Sequence, residues 1–550
     1  MIRSKFLVRL LTIFNIGTLS ILAVLALATA LHPTVNKFGL FQPVILIFFG
    51  AILINIILIA IANVRFNLGK LRWLIVPTTI VIFIGILVAQ LFFAQALLSS
   101  GYTWDSNTVF QAAVMHVQSG VIDSGSTGYF QSSPNNLALF FILDNLFSIM
   151  KHFGSTNFLW GAVVLNVAVT FLTQIIIYFV VKMLFGRRTA LCSLIVSFVL
   201  IGLNLHIQTP YTDTLAILFP ILIFLLGLYL VKFQNTGLRL LFAFLIGAAT
   251  IMGTLIKPTV VIAAIALVAV AIIWAISERK TIRKDKLWLT VIMSFIVFFA
   301  TAAAGYIGYG SYVDSQHILP YAYSQSGKNS LPPEHFINIG TKTKINGYSV
   351  NYGGYDGDTA GIVSKLDGHD AKVAYSDDAI TTQLRSYGML GYLDFLKDKL
   401  MWIMSDGTFF AYGEGDLNSI KFENNSEFSQ NVRQFTTPQG KYYALFGNIL
   451  QAFWVAVLFL IALQLMISIL WKPARLNLFL TMLHLMIVGI IVFLLIFEGR
   501  SRYIFLFLPI FIVTAMYTLN WFRNITREDK PQNLAKPPTH RSDSMIDSKV

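Results

Sequence analysis

Apolar runs of about twenty residues recur along most of the chain, and nothing else restricts its fold as much. A helix of that length crosses the hydrocarbon of a bilayer and satisfies every backbone hydrogen bond within itself. Candidate spans fall at 7–30, 42–63, 74–98, 158–184, 189–206, 211–231, 238–256, 258–276, 287–309, 446–470, 476–497 and 502–522, with a shorter apolar segment at 137–150. Apolar residues make up 56% of the 550 and charged residues 12%, a pattern that no soluble fold needs. The first run follows Arg3 and Lys5 and reaches Ala28-Thr29-Ala30, as a signal peptide would. It is too long for a signal-peptide core and more spans follow, so it reads as a retained helix.

The expected fold is an all-α polytopic membrane protein of about 12–13 transmembrane helices, with a mixed external domain in one long loop. Its parts are two N-terminal helices in 1–72, a transmembrane core in 73–309 that includes an external loop at 99–136, and an external soluble domain in 310–445. C-terminal helices follow in 446–522, then a polar tail in 523–550 whose Pro, Ser and Lys content predicts disorder. A loop as long as 310–445 is a domain rather than a connection. Within it, 387–404 has amphipathic spacing, which suits a helix lying along the membrane interface or one packed on the domain itself.

A net charge of +14 would suggest nucleic acid as a partner of a soluble protein. Here the excess has another cause. Residues 311–444 hold 11 basic and 15 acidic side chains, which leaves 29 basic against 11 acidic in the remainder. The basic groups cluster in short loops and tails: Arg3/Lys5/Arg9, Arg65/Lys70/Arg72, Lys182/Arg187/Arg188, Lys232/Arg239, 278–286, Lys472/Arg475 and beyond Arg523. By the positive-inside bias those are cytoplasmic, which places 99–135, 310–445, Asp213, Lys257 and 498–502 outside. No nucleic-acid partner is expected. From 99–135 to Arg187/Arg188 the chain must cross an odd number of times, yet two apolar segments lie between; 137–150 is therefore read as re-entrant or interfacial, the other option being that Arg187/Arg188 break the rule. A lone cysteine, Cys192, and scattered histidines without HxxxH spacing give no metal site, and no cofactor is expected.

Five places can carry chemistry. Asp105, in Gly101-Tyr102-Thr103-Trp104-Asp105-Ser106-Asn107, follows the run at 74–98 and falls at the lipid–water boundary, where a carboxylate stays ionised beside lipid. The stretch from Asp123 through Tyr129 to Asn135 and Asn136 comes next, and is as readily a surface turn that caps the following helix. Asp213, in Pro210-Tyr211-Thr212-Asp213, is either a helix cap or a second acid. Lys257 separates two apolar runs with almost no loop, so it either snorkels or meets an anion such as a lipid phosphate. In Glu498-Gly499-Arg500-Ser501-Arg502-Tyr503 two arginines sit on an expected external turn, against the charge bias. Guanidinium groups bind phosphate bidentately, and Glu498 can orient one; a solvated, salt-bridged turn is the alternative.

In order along the chain these segments resemble those of the GT-C superfamily of polyprenyl-phosphate-sugar-dependent membrane glycosyltransferases, in the protein O-mannosyltransferase-like branch and especially its bacterial members. The resemblance covers about 74–522. It rests on Trp104-Asp105, the 129–136 segment, Tyr211-Thr212-Asp213, Lys257-Pro258-Thr259, Trp402-Ile403-Met404-Ser405-Asp406-Gly407-Thr408-Phe409-Phe410, and Glu498-x-Arg500-x-Arg502-Tyr503. It implies a GT-C-like core and an inverting transferase in a bacterial plasma membrane, with its site on the extracytoplasmic face. Catalysis would fall to Asp105, with Asp213 second. Lys257, Glu498, Arg500, Arg502, Tyr503, Tyr211, Asn135 and Asn136 would bind substrate. The partners implied are a polyprenyl-phosphate-linked sugar donor, a cell-envelope acceptor (polymer, lipid or protein) and membrane lipids. Many relatives carry an acidic pair where this chain has Asp105-Ser106, so no divalent metal is assigned. Two other functions fit the composition: a transporter or flippase of a lipid-linked glycan, which the absence of visible internal repeats does not favour, and a non-catalytic membrane scaffold.

Overall fold

Helices form where the apolar runs predict them. A computed structural model describes residues 5–31, 43–64, 73, 75–99, 102, 104–277, 287–346, 349–411, 421–470 and 478–525. Among these, ten helical stretches are long and apolar enough to cross a membrane. They are α1 (Lys5–Leu31), α2 (Val44–Asn63), α3 (Ile75–Ala96), α7 (Phe158–Phe185), the pair α9 (Thr212–Ala216) and α10 (Leu218–Lys232), α11 (Thr236–Ile256), α12 (Val261–Ser277) together with the 3₁₀ turn Pro258–Val260 before it, α13 (Trp288–Ser315), α18 (Tyr443–Leu470) and α19 (Leu478–Ile496). Three further helices lie between α3 and α7: α4 (Trp104–Ser119), α5 (Ser124–Ser132) and α6 (Leu137–His152).

Two expected spans are broken into shorter pieces. The run at 189–206 becomes α8 (Arg187–Ser197) and a turn of π-helix at Phe198–Gly202. The run at 502–522 becomes α20 (Ser501–Phe505) and α21 (Leu508–Ile525). α21 packs against α7, α8, α18 and α19, and Phe511, Ile512, Val513, Met516 and Leu519 are fully buried. Its apolarity therefore serves a protein core rather than lipid contact. α3 and α13 are the opposite case, with nearly all their apolar side chains on the outer surface, as lipid-facing helices require.

α1 and α2 are built into this bundle through α18. The Asn55 amide donates to Ala456 O at 3.1 Å, and a part-buried Asn15–His484 pair at 2.7 Å joins α1 to α19. The segment at 137–150 is the 16-residue α6, which packs on α4 and is tied to it by a 2.7 Å contact between His116 Nδ1 and Asp144.

α13 runs to Ser315, beyond the expected boundary at 310. The following segment contains α14 (Pro333–Gly340), a hairpin of β1 (Thr343–Asn346) and β2 (Ser349–Tyr352) in the register Thr343↔Tyr352, α15 (Gly357–Lys365), α16 (His369–Met404) and α17 (Glu427–Thr436). α16 kinks at Gly388, where φ is 60°. Past the kink it turns Phe395, Lys399, Ile403 and Met404 inward and leaves Met389, Leu390 and Leu393 exposed. This is the amphipathic segment expected at 387–404. The basic anchors Arg3, Arg65, Lys70, Arg72, 278–286, Lys472 and Arg475, the tail past 525, and Gly101 and Thr103 lie outside the described residues.

The strap made by 333–359 rests on close glycine packing. Gly353 has φ +69°, and a Cβ there would stand 2.6 Å from Gly340 O. Gly353→Ala thus combines a left-handed backbone with a backbone clash and is expected to destabilise the protein by about 2 kcal/mol. A lowered thermal-unfolding midpoint in detergent checks this.

Candidate functional site

Most of the singled-out polar residues converge in one cluster, and the local sequence explains how each arrives. Pro258 cannot continue α11, so the backbone becomes extended at Lys257 and a lysine is left at the seam between α11 and α12. At the start of α9 the Tyr211 N–H donates to Thr214 Oγ1 at 2.9 Å, which frees the neighbouring Asp213 from capping duty. Asp213 is only 1% exposed. Its carboxylate lies 2.8 Å from Lys257 Nζ and 3.2 Å from Arg502 Nε, in close charge pairs rather than aligned hydrogen bonds. Asp213 is therefore not a helix cap, and Lys257 does not snorkel; its anion is a carboxylate of the same chain.

The aromatic residues hold these cations. Lys257 Nζ sits 4.5 Å from the centre of the Tyr503 ring. The Arg502 guanidinium lies 5.3 Å from the Tyr211 ring and 5.1 Å from that of Tyr503, within cation–π range. The Tyr503 hydroxyl donates to Glu498 Oε1 at 3.0 Å, whereas Arg500 Nε approaches the same oxygen only to 3.9 Å. Arg500 instead faces Phe410, 5.0 Å from its guanidinium, and Tyr355 at 5.7 Å.

Asp105 stands at the exposed edge, in the first turn of α4. Its Oδ2 accepts from the Tyr211 hydroxyl at 3.0 Å, so one tyrosine touches the carboxylate with its oxygen and Arg502 with its ring. Tyr129 joins on the other side. Its hydroxyl accepts from the buried Asn136 amide, and burial, then the Asp105 charge, push its phenol above the usual range. Burial and then Asp105 do the same to Tyr211. Both phenols thus remain protonated donors. The Asn135 amide donates to Asn136 Oδ1 at 3.3 Å, which links it to the cluster. The stretch Pro134–Asn136 is a 3₁₀ turn, and Asn136 makes no side-chain cap. Within this cluster Asp105, Asp213 and Glu498 balance the charges of Lys257, Arg500 and Arg502.

Three contributors were given no role by the sequence reading: Tyr129 and Asp406, which lie in segments it quoted, and Tyr355, which it did not name. Asp406 Oδ1 accepts from the Thr408 N–H at 2.9 Å and the Thr408 hydroxyl at 2.6 Å. Its Oδ2 accepts from the Phe410 N–H at 2.7 Å and the Ser501 hydroxyl at 2.9 Å. Phe409 and Phe410 both have left-handed φ, 54° and 60°, a conformation that side chains with a Cβ resist. The Asp406 carboxylate holds that turn closed and ties it to Ser501 between the two arginines. The Asp406-Gly407 dipeptide is a turn signal visible in the sequence. Tyr355, flanked by Gly354 and Asp356-Gly357, is exposed, and its phenol is raised by burial first and then by the charges of Asp105 and Glu498.

The fold and this cluster define an α-helical integral membrane protein with a polar, charge-balanced site. The chain matches the family described as "conserved hypothetical integral membrane protein" over residues 4–522, and it belongs to that family. Among solved structures it is similar to ArnT from Cupriavidus metallidurans, crystallised bound to undecaprenyl phosphate, at 12% identity and a TM-score of 0.35, over 82% of this chain and 79% of that one. No curated protein matches the chain.

Proposed function

We propose that the protein is an inverting glycosyltransferase that moves one sugar from a polyprenyl-phosphate carrier to a cell-envelope acceptor. The observation that carries this reading is the pairing of an accessible carboxylate with a cation cluster across a single tyrosine: Tyr211 bonds Asp105 at 3.0 Å and holds Arg502 against its ring. Such a transfer needs those two parts on either side of the anomeric carbon. The acceptor oxygen forms the new bond to that carbon as Asp105 takes its proton. The bond from carbon to phosphate oxygen breaks, and its electron pair leaves with the phosphate. Arg500, with its guanidinium near the exposed edge, is assigned to the leaving phosphate together with Lys257. Asp213 is assigned the role of holding Lys257 and Arg502 in place. Its carboxylate is buried and faces those two cations.

The positive-inside bias supports a site on the extracytoplasmic face of a bacterial plasma membrane, with the 310–445 segment on the same side. A lipid-linked donor would then reach the site from the surrounding bilayer. The test is mass spectrometry of surface glycans and of lipid-linked sugars in cells with and without the protein. Loss of one sugar from an envelope component, with its lipid-linked form accumulating on the outer leaflet, is expected. Accumulation on the inner leaflet would replace this reading with that of a flippase. Arg500→Ala is expected to weaken binding of undecaprenyl phosphate by about tenfold, roughly the value of one charge-assisted contact; a titration on protein in nanodiscs measures it.

A further inference from the structure

Lys399 is fully buried on α16, and its acceptors are three backbone carbonyls rather than a carboxylate. Nζ donates to Gly340 O at 2.7 Å, to Phe497 O at 2.7 Å and to Leu495 O at 3.1 Å. An ammonium has three N–H donors, and here each is used. Gly340 ends α14, and Leu495 and Phe497 lie at the end of α19, where helix carbonyls lack intrahelical partners. A buried cation in such a place is costly, and a methionine would fill the volume more cheaply. What the lysine adds is direction, because it fixes two chain ends against each other.

The two ends bear on the site. Glu498 N–H donates to Phe336 O at 2.9 Å and Gly499 N–H to Gly353 O at 2.8 Å, so the chain just before Arg500 is stitched to the strap at 333–359. The strap closes on itself where Gly353 N–H donates to Lys342 O at 2.7 Å. A Cβ at Gly340 would lie 2.7 Å from Ile496 O, so here the two backbones touch without a side chain between them, while Gly499 leaves room for the Ile403 side chain of α16, whose Cδ1 would lie 2.7 Å from a Cβ there. Two residues past Gly353, Tyr355 meets the Arg500 guanidinium.

We infer that Lys399 is a positioning residue for the arginine turn: by binding Gly340, Leu495 and Phe497 it locks the backbone at 498–500 to the strap at 333–359 and so sets where Arg500 and Tyr355 stand. That Arg500 then meets a lipid phosphate rests on the glycosyltransferase reading; the positioning does not.

The test uses the full chain in nanodiscs as wild type, Lys399→Met, Arg500→Ala and the double variant. Two measurements are made: amide hydrogen exchange, and affinity for undecaprenyl phosphate as the probe. In Lys399→Met the amides at 498–499 are expected to exchange at least about tenfold faster while the bundle helices keep their protection. Probe affinity is expected to fall about fivefold, and the double variant to bind no more weakly than Arg500→Ala, because the lysine acts through the arginine. Unchanged exchange at 498–499 in a folded Lys399→Met protein overturns the inference. So does a rise spread evenly over the bundle, which marks a general staple, or additive losses in the double variant. If wild type does not bind the probe, the phosphate reading fails, and the exchange measurement alone decides the positioning. Should Lys399→Met not fold, Lys399→Gln, which keeps two N–H donors, is read in the same assays with the same outcomes.

Discussion

Asp105→Asn is expected to lower sugar transfer by about 10²–10⁴-fold, the usual contribution of a positioned general base, and to leave the fold and donor binding intact. Asparagine matches aspartate in shape, and its carbonyl oxygen can still accept the Tyr211 hydroxyl that lies 3.0 Å from Asp105. The side chain is exposed, so no buried group is orphaned and the unfolding midpoint should barely move. The cations at Lys257, Arg500 and Arg502 are untouched, so affinity for undecaprenyl phosphate should match wild type. What is lost is the ability to take a proton, since an amide has no useful basicity. The measurement is turnover with a lipid-linked donor, taken beside thermal unfolding and probe binding on the same preparation. Full turnover would remove Asp105 from the mechanism. A fall in probe affinity equal to the fall in turnover would make it a binding residue instead.

The bundle was legible in the chain because lipid imposes a length: a helix that crosses hydrocarbon must be about twenty residues long and apolar throughout. What the signal does not show is what a helix faces, as at 502–522. A helix sunk in a protein core is as apolar as one facing lipid, and only packing shows that α21 is surrounded by other helices. The cluster was legible as a set of outlying residues, a lysine at a seam and arginines against the charge bias. Its wiring was not, since Asp213 meets Lys257 and Arg502 across 44 and 289 positions of chain. Lys399 left a trace that could have been read. It lies on the stripe Phe395, Lys399, Ile403, at i, i+4 and i+8 of an amphipathic helix, and a lysine on the apolar face must find partners inside. Asp406 left a weaker one, its Asp-Gly turn. Tyr129 was visible only as part of its stretch, and Tyr355 left no trace beyond aromaticity, because only the fold brings it to the Arg500 guanidinium.

Asp213→Asn separates the two roles open to a second acid. If Asp213 holds the cations, removing its charge leaves Lys257 and Arg502, both mostly buried, without the carboxylate that lies 2.8 Å and 3.2 Å from them. Breaking a buried pair in this way costs about 3–5 kcal/mol, because the surviving charge keeps its desolvation penalty and loses its compensation. The protein should therefore unfold at a markedly lower temperature whether or not any donor is present. If Asp213 were the base, the variant would fold as well as wild type and fail only in turnover. Adding Lys257→Met sharpens the test, since it removes one of the stranded cations along with the carboxylate. In the double variant part of the lost stability should return, by about 1 kcal/mol or more relative to the sum of the single changes, while on the proposed mechanism turnover stays low because a cation assigned to the phosphate is gone. Stability without turnover in the double variant, set against instability in Asp213→Asn alone, assigns the aspartate to the architecture of the site and leaves the proton to Asp105.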